Sequence, residues 1–461
     1  MKLRQWQLTC LDNAFNHYLK GANNFLVFAV PGAGKTILAA SIAKRMLEND
    51  LVDIIISLSP SVSIKKNIQD VLSISTNRCF KGEIGSAGIC FTYQSLSHIS
   101  PEFWRKIRNK RKFLILDEVH HCSGNNEVES NHWGLNILQK ISQGKTYSLS
   151  LSGTPWRTDS FPITKQQYSR SSSQIAYHYK YGLQDAIKDG ICRIPKVILI
   201  DNEQITVEQR NGKVNTFSNF EALLSDSEIN YQAILENKCA LKFILKESIT
   251  KLEELRAKIT NAGGLIVATS VNHAYLIAET MRKEFSIRPQ VVTYKQHDAQ
   301  IQIDEYKQNT KSWLISVGMV SEGTDIPRLQ ICCYLSRIRT ELYFRQVLGR
   351  ILRATNDKPQ QAWLFTFAEP NLIKFAERLN ADIPFDDIIE KRQVMDIQHS
   401  VEELKNTQSS ASTNEISYSF NSASLSLKVN DNNRQFDLFS ELKFSDQYRK
   451  KLVDSIKQFE H

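Results

Sequence analysis

The amino-acid sequence predicts an α/β protein with two domains in tandem, each a parallel sheet covered by helices, followed by a small C-terminal extension. Two observations lead to this prediction. Short runs rich in β-branched residues alternate with helical patterns, which is typical of parallel sheets with helices on both faces. This alternation ends near residue 190 and then begins a second time. We therefore divide the chain into residues 1–190, 191–395 and 396–461.

The strands of both domains are indicated by short apolar runs, and each run is separated from the next by a helical pattern or a turn signal. We predict strands at residues 25–28, 53–58, 88–91, 113–116 and 147–151, and then at residues 196–200, 264–268, 290–293, 313–317, 330–335 and 362–367. An insertion in the second set contains an Asn-Gly turn at residues 211–212, which predicts a hairpin of residues 205–209 and 213–217. A long helical stretch is predicted for residues 226–262.

The C-terminal extension differs from the two domains in residue composition. Residues 406–434 are rich in Ser, Thr and Asn, which indicates a linker or loop. Residues 416–420 and 425–429 alternate with period two, so a small hairpin is the alternative. A final amphipathic helix is predicted over residues 445–459, either as a docking element for a protein partner or as a loose terminus.

The composition argues against a membrane protein, a secreted protein and a zinc-binding or disulfide-linked protein. The 461 residues contain 41% hydrophobic and 23% charged side chains, which is ordinary for a soluble globular chain. No run approaches the ~18 apolar residues of a membrane span, and the N-terminus lacks an apolar signal core. The eight cysteines form no C-x-x-C pair, so neither a zinc site nor a disulfide framework is indicated. We expect a cytoplasmic protein with reduced, buried thiols and no membrane contact.

The net charge of +9 is unevenly distributed. From Lys391 onward ten basic residues balance ten acidic ones, so the excess lies in the first 390 residues. A basic balance suits a polyanionic partner, although many basic proteins bind no nucleic acid.

Residues 29–36 (AVPGAGKT) join the first strand to a helical pattern that opens at Ile37. Such a turn directs backbone N–H groups and the positive helix end at an anion, which makes a phosphate cradle. Lys35 then reaches the β- and γ-phosphates and Thr36 holds Mg²⁺, although Ala29 stands where the P-loop pattern has its first glycine. The predicted nucleotide-binding residues are Ala29, Val30, Pro31, Gly32, Ala33, Gly34, Lys35 and Thr36.

The apolar strand at residues 113–116 is followed by two acids, Asp117 and Glu118. A carboxylate at the carboxyl end of a parallel strand beside the cradle can hold Mg²⁺, and its neighbour can activate the attacking water. We assign the metal to Asp117 and the base role to Glu118. His120 is expected to be a hydrogen-bonding go-between. A solvated turn is the alternative, which the position after the cradle disfavours.

Arg350 and Arg353 are three residues apart, a spacing that predicts one face of a helix. They lie in the second domain, so they can meet the γ-phosphate only if the two domains close. The planar fork of arginine binds phosphate oxygens bidentately and neutralises developing charge. A solvated basic helix is the alternative for this segment taken alone.

Together these residues resemble the superfamily-two helicases of the DEAD/DEAH type, and the match runs through nearly 370 residues. The resemblance implies two RecA-like domains, with ATP and Mg²⁺ in the cleft between them and single-stranded nucleic acid crossing both. Residues 29–36 match motif I, residues 117–120 match motif II as D-E-x-H, and residues 346–353 match motif VI. The implied catalytic residues are Lys35, Asp117, Glu118, Gln346, Arg350 and Arg353.

The remaining motifs assign further roles by resemblance alone. Residues 3–7 look like the adenine-reading motif, residues 152–157 like motif III, residues 265–270 like motif IV and residues 317–327 like motif V. Gln5 stands where many members have proline, and residues 59–67 match motif Ia poorly. The roles implied are adenine contact by Gln7, ribose and nucleotide contact by Gly323 and Asp325, nucleic-acid contact by Thr92, Ser270 and Thr324, and coupling by His120 and Thr154.

The D-E-x-H form of motif II and the Gly-Thr-Pro form of motif III resemble those of the DNA-directed members. These members include excision-repair and branch-migration helicases and the motor subunits of restriction systems. The prediction is therefore an ATP-dependent helicase or translocase acting on DNA. An ATPase that serves as a clamp or motor subunit without separating strands, an RNA helicase and a nonenzymatic scaffold are the alternatives. The hairpin near Asn211 is either a strand-separating wedge or, as we favour, an ordinary surface hairpin.

Overall fold

The computed structural model describes residues 2–83, 85–122, 141, 144–153, 176–209, 212–227, 229–319, 326–355, 360–379 and 439–454. Its strands form a six-stranded sheet, a seven-stranded sheet and a separate three-stranded sheet. The predicted α/β fold of two tandem domains is confirmed. In the described part of the chain, no helix is both long and apolar enough to cross a membrane.

The first sheet is parallel throughout its described pairs, in the order β3-β2-β4-β5-β1-β6. Parallel strands buried on both faces are apolar along their whole length, as the runs in β1 and β4 are. The strands are β1 Asn24–Ala29, β2 Ile54–Ser59, β3 Gly88–Thr92, β4 Lys112–Asp117, β5 Thr146–Ser152 and β6 Tyr179–Tyr181.

Helices connect these strands and begin where polar residues can cap them. Ser61 accepts a hydrogen bond from Ile64 N at the start of α3, and Ser100 precedes a proline at the start of α4. The helices of this domain are α1 Gln5–Leu19, α2 Lys35–Glu48, α3 Val62–Thr76 and α4 Pro101–Ile107, with 3-10 turns at Tyr93–His98 and Val119–His121. The connection to the second domain contains α5 Leu183–Lys188.

The second sheet has the order β11-β12-β10-β13-β14-β7-β16. Its first six strands are parallel, and β16 pairs antiparallel with β7 at the edge. The strands are β7 Ile194–Asn202, β10 Gly263–Ala268, β11 Gln290–Thr293, β12 Trp313–Val317, β13 Leu329–Leu335, β14 Gln361–Phe367 and β16 Tyr448–Asp454. The helices are α6 Phe220–Asp226, α7 Tyr231–Glu236, α8 Lys238–Arg256, α9 Val271–Phe285, α10 Ala299–Gln308, α11 Glu341–Gly349 and α12 Pro370–Glu377.

The long helical stretch predicted for residues 226–262 is helical over Tyr231–Glu236 and Lys238–Arg256, and asparagines divide it. Asn230 accepts from Ala233 N, and Asn237 accepts from both Cys239 N and Ala240 N. Asparagine side chains satisfy the first N–H groups of a helix, so each of them starts a new helix instead of continuing the old one.

The predicted C-terminal helix is wrong over its described part, where residues 448–454 form β16. The outer edge of β7 offers a row of backbone groups to be paired, and β16 satisfies them along its full length. The turn before it is tied to the sheet, since Asn202 Nδ2 donates to Ser445 O at 2.8 Å. Residues 416–420 and 425–429 lie outside the described residues.

The predicted insertion hairpin is present as β8 Ile205–Gln209 and β9 Val214–Phe217. A third strand, β15 Phe439–Phe444, pairs antiparallel with β8 and makes β8 the centre of the three-stranded sheet. Residues 210 and 211 of the turn lie outside the described residues. The hairpin is thus joined to the C-terminal strands.

Candidate functional site at the nucleotide cradle

The phosphate cradle lies where three neighbouring strands of the first sheet end. The order β4-β5-β1 places Asp117 opposite Leu151, and Ser152 opposite Phe28. Because parallel strands end at the same edge, the loops that follow β1, β4 and β5 meet there. The cradle, the acidic pair and the start of motif III therefore share one corner of the domain.

The loop between β1 and α2 depends on glycine at two positions. Gly32 has φ 81° and Gly34 has φ 96°, both in the left-handed region. A Cβ built on Gly34 would lie only 2.7 Å from Gln7 Nε2. Gly32 and Gly34 therefore leave the loop before α2 without side chains at these two positions. The backbone there can approach a phosphate closely.

Lys35 lies across this loop. Its Nζ donates to Ala29 O at 3.1 Å and forms an ion pair with Glu118 Oε1 at 3.3 Å. A Cβ on Gly153 would lie 3.2 Å from the same Nζ, so motif III begins against this ammonium group. The Lys35 and Glu118 side chains are 11% and 21% exposed, which leaves the pair partly open to a ligand.

Glu118 occupies a left-handed backbone conformation, with φ 49° and ψ 55°. For a residue other than glycine this conformation costs about 1–3 kcal/mol and is concentrated at functional sites. Its Oε2 accepts from Ser152 Oγ and from Gly153 N, both at 3.4 Å. The turn therefore aims the Glu118 carboxylate at the cradle rather than along the sheet.

His120 connects the acidic turn to β5, as expected of a go-between. Its Nδ1 lies 3.0 Å from Ser152 Oγ and 3.5 Å from Glu118 Oε2, and the side chain is buried. Asp117 is also buried, and its backbone oxygen accepts from Tyr93 OH at 2.8 Å. These contacts fix the end of β4 on both sides.

The N-terminal motif clamps the cradle from outside. Gln7 is 2% exposed, and its Nε2 donates to Gly34 O at 3.0 Å while its Oε1 accepts from Arg4 N at 2.8 Å. Arg4 Nη1 also donates to Ala33 O at 2.8 Å. Beside them Trp6 stacks on Tyr181, with ring centroids 4.5 Å apart. Adenine contact by Gln7 stays a prediction.

The second domain reaches the same loop through Arg353. A Cβ on Gly32 would lie 3.7 Å from Arg353 Cγ, and a Cβ on Gly349 would lie 2.7 Å from Pro31 Cγ. Burial, followed by the nearby Arg4 guanidinium, lowers the pKa of Arg353, while the Cys192 thiol acts in the opposite direction. The two domains are therefore in contact at the cradle.

The expectation that Arg350 and Arg353 share a helix face is wrong. Helix α11 ends at Gly349, Arg350 lies in the following turn, and Arg353 forms an antiparallel bridge with Cys192. Arg193 N donates to Leu352 O, and Ala354 N donates to Ile191 O. These bonds with residues 191–193, which lead from the first domain into the second, replace the helical bonds that would have continued α11.

The remaining predicted residues lie on other elements or outside the described residues. Thr92 is 7% exposed and caps the 3-10 turn that follows β3, while Ser270 caps α9 by accepting from His273 N at 3.1 Å. Gln346 is half-buried on α11. Thr154, Gly323, Thr324 and Asp325 lie outside the described residues.

The residues of this corner fit a magnesium-bound nucleotide. Lys35 and the backbone of the cradle supply donors for phosphate oxygens, and Arg353 lies against the same loop. The described residues contain no cluster of three or more His, Cys, Asp or Glu side chains that could hold a metal alone. Magnesium is usually held by one or two carboxylates together with substrate phosphates and water, so Asp117 and the Thr36 hydroxyl match its needs.

Sequence reasoning gave no role to Arg4, Ser152, Gly153 or Cys192. Arg4 and Ser152 lie inside motifs that the sequence analysis identified. Their polar side chains could therefore have been predicted to contact the cradle. Cys192 had none, because its Sγ reaches Pro31 O at 3.8 Å only through the folding of distant segments. Burial raises the pKa of Cys192 to about 12, so it is an inert thiol. All eight cysteines are free, and six are buried, whereas Cys79 and Cys239 are exposed.

Known sequences are similar to most of this chain. Residues 1–157 match the family described as type III restriction enzyme, res subunit. An uncharacterized protein of Mycobacterium tuberculosis is 29% identical over 398 residues, which cover 82% of this chain and 63% of that protein. The DNA 3'-5' translocase XPB2 of Sulfurisphaera tokodaii is 25% identical over 380 residues, which cover 77% of this chain and 79% of that protein. The chain spans a little under two thirds of the length of the mycobacterial relatives that it matches.

Solved structures share the fold. An ATP-dependent type ISP restriction-modification enzyme bound to DNA matches with TM-score 0.55 and 14% identity, over 83% of this chain and 30% of that one. A fragment assigned to an HsdR subunit of a type I restriction enzyme from Vibrio vulnificus matches with TM-score 0.55 and 15% identity, over 81% of this chain and 66% of that one. The fold of two RecA-like domains is confirmed, and so is the resemblance to superfamily-two helicases of the DNA-directed branch.

Proposed function

We propose, taking the chain as similar to the superfamily-two helicases of the DNA-directed branch, that it hydrolyses ATP with Mg²⁺ and couples hydrolysis to movement along DNA or to separation of its strands. The observation that carries this proposal is the meeting of Lys35 and Arg353 at one phosphate loop, although they belong to different domains. A motor needs such a site, because a nucleotide bound by both domains can close the cleft and its hydrolysis can let the cleft open again.

In this proposal the first domain binds the nucleotide. The cradle and Lys35 hold the phosphates, and Thr36 and Asp117 hold Mg²⁺, which would neutralise charge as it develops on the phosphates. Glu118 orients the attacking water and takes its proton, helped by His120 and Ser152, which fix its carboxylate. Gln7 contacts adenine, and its bond to Gly34 O links that contact to the cradle.

The second domain completes the site. Arg350 and Arg353 stabilise the transition state, a role in which an arginine can supply ~10³–10⁵-fold in rate. Gln346 lies near the water, and Gly323 and Asp325 contact the ribose. Single-stranded nucleic acid runs across both domains past Thr92, Ser270 and Thr324, with Thr154 passing changes at the nucleotide to this track.

DNA as the substrate is supported by the relative named as a DNA translocase and by the DNA-bound structural neighbour. The net charge of +9 suits binding to the phosphate backbone. We therefore expect affinity to fall steeply with salt and to vary little with sequence. A tight, sequence-specific complex that is insensitive to salt would contradict this expectation.

The experiment is a steady-state ATPase assay with single-stranded, duplex and forked DNA and with RNA of one sequence. We expect DNA to stimulate hydrolysis and Lys35→Ala to abolish it. Lys44→Ala is the matched control, because Lys44 lies on the same helix with its side chain 48% exposed. Hydrolysis that survives Lys35→Ala within a few-fold would refute the assignment of the cradle, and stronger stimulation by RNA would refute DNA as the substrate.

The second candidate is a motor or clamp subunit that hydrolyses ATP on DNA but separates no strands. The match of residues 1–157 to a restriction-enzyme subunit favours it. A strand-displacement assay on forked DNA, run beside the ATPase assay, distinguishes the two. Stimulated hydrolysis without displacement supports the subunit, and displacement supports the helicase.

A further inference from the structure

The segment that crosses into the second domain, residues 191–193, contacts both halves of the cleft. Cys192 Sγ donates to Pro31 O in the cradle at 3.8 Å. The backbone of the segment pairs with residues 352–354, next to and including Arg353. The crossing segment therefore does not only connect the two domains. It contacts both the cradle and the residues around Arg353.

The Arg193 side chain is fully buried and extends these contacts to motif V. Its Nη2 donates to Pro327 O at 3.0 Å, at the end of the segment that resembles motif V. Its Nη1 donates to Leu329 O at 2.6 Å and to Ile351 O at 2.9 Å, and its Nε donates to the Gln360 side chain at 2.9 Å. One guanidinium thus joins the end of motif V to the turn that precedes Arg353.

Burial of the Arg193 guanidinium needs a structural reason. Among the described residues no carboxylate forms an ion pair with Arg193, and burial lowers its pKa to about 10. Burying an unpaired charge is costly, and apolar residues fill a core more simply. The five N–H donors of a planar fork can serve four acceptors on three separate segments at once, which lysine cannot do. This geometry, rather than core filling, accounts for an arginine here.

We propose that Arg193 is a positioning residue that ties the end of motif V to the Arg353 segment, so that nucleic-acid contact at motif V and the placement of Arg353 change together. This inference rests on the proposed function. It adds that this chain transmits the binding of nucleic acid to the arginine through a buried guanidinium on the crossing segment. Arg193 does not itself touch the nucleotide.

The test is Arg193→Lys in the complete chain, which retains the charge but loses the fork. We expect the DNA-stimulated kcat to fall about tenfold to hundredfold, since a small misplacement of a catalytic group has effects of that size. The affinity for a fluorescent ATP analogue should change less than threefold. Gln360→Met removes one acceptor and should act in the same direction with a smaller effect, so the test stands even if Arg193→Lys folds poorly.

The readout that separates positioning from stability is a double-mutant cycle with Arg353→Lys. If Arg193 acts through Arg353, Arg193→Lys lowers kcat no further in the Arg353→Lys background. Equal fold-losses in both backgrounds would overturn the inference. The matched control is Arg256→Lys, because Arg256 also donates to backbone carbonyls, at Ala262 and Thr310, but to none of the acceptors of Arg193. It should lower the melting temperature without lowering the stimulated kcat.

The outcome also separates this inference from the proposed function. If the unaltered protein shows no DNA-stimulated hydrolysis, the proposed function fails and the inference fails with it. If the unaltered protein is stimulated but Arg193→Lys matches it in kcat, or lowers only the melting temperature as Arg256→Lys does, only the inference fails.

Discussion

The two halves of the cleft are built differently. In the first domain, three adjacent strands end together, and this brings Lys35, Glu118 and Ser152 to one point. In the second domain, Arg353 lies beyond the end of α11 and is held by backbone pairing with the crossing segment, which is distant in the sequence.

This difference has a functional consequence. The first half is fixed by local turns and by neighbouring strands of one sheet, so we expect it to bind a nucleotide without help from the second domain. The second half is placed by long-range contacts, so its contribution depends on how the domains meet. Substitutions in the first half should therefore alter binding or chemistry, whereas substitutions of Arg353 should alter turnover alone.

The largest effect is expected for Arg353→Ala. The loss of a transition-state arginine should lower the DNA-stimulated kcat by ~10³-fold or more, while nucleotide affinity changes little. Stopped-flow hydrolysis and titration with a fluorescent ATP analogue measure the two quantities separately. The control is Arg282→Ala on the exposed surface of α9. A parallel loss of affinity and kcat would remove the distinction between the two halves.

Glu118→Gln should have the next largest effect. It removes the proposed base but keeps a side chain of the same shape, so kcat should fall by ~10²–10⁴-fold while ATP still binds. The change also ends the ion pair with Lys35. The control is Glu102→Gln on α4, where Glu102 is exposed. Near-normal single-turnover hydrolysis in Glu118→Gln would assign the base to another residue.

Gln7→Ala tests the outer clamp of the first half. The substitution removes the bonds to Gly34 O and from Arg4 N, each worth about 1 kcal/mol. We expect the KM for ATP to rise about tenfold and the preference for ATP over GTP to weaken. Gln5→Ala, two residues away on the same helix and exposed, is the control. An unchanged KM would show that the clamp is dispensable for binding.

The smallest predicted effect concerns acid stability of the second domain. Burial lowers the pKa of His273 from its ordinary value to about 4, and its Nδ1 accepts from Thr269 N, so the ring is neutral. Because the folded pKa lies below the unfolded value of ~6.5, the stabilisation is complete above about pH 6.5 and is lost as the pH falls toward 4. The total is on the order of 3 kcal/mol.

Urea unfolding between pH 7 and 4 measures this loss. His273→Gln should flatten the pH dependence, while His297→Gln, at an exposed position, should leave it unchanged. An equally steep dependence in His273→Gln would assign the acid sensitivity to other groups.

Sequence reasoning was most successful where function and fold depend on contiguous residues. The strands of both sheets and the cradle at residues 29–36 could be predicted, because apolar runs and a glycine-lysine turn carry local signals. The position of Glu118 at the end of β4 followed from the same logic. Its left-handed backbone did not, since nothing in the residue type indicates that conformation.

Sequence reasoning was wrong where distant segments decide the local structure. The arginine spacing at residues 350 and 353 indicated a helix, but pairing with residues 191–193 ends that helix. The amphipathic pattern near the C-terminus indicated another helix, but an available sheet edge makes it a strand. In both cases backbone hydrogen bonds to a remote partner outweigh a local preference.

The most direct test of the shared cleft is a crystal structure with a nonhydrolysable ATP analogue, Mg²⁺ and single-stranded DNA. We predict that Lys35 Nζ and the Arg353 guanidinium both lie within hydrogen-bonding distance, about 3 Å, of the terminal phosphate. A bound nucleotide with Arg350 and Arg353 both turned to solvent would contradict a site formed by the two domains.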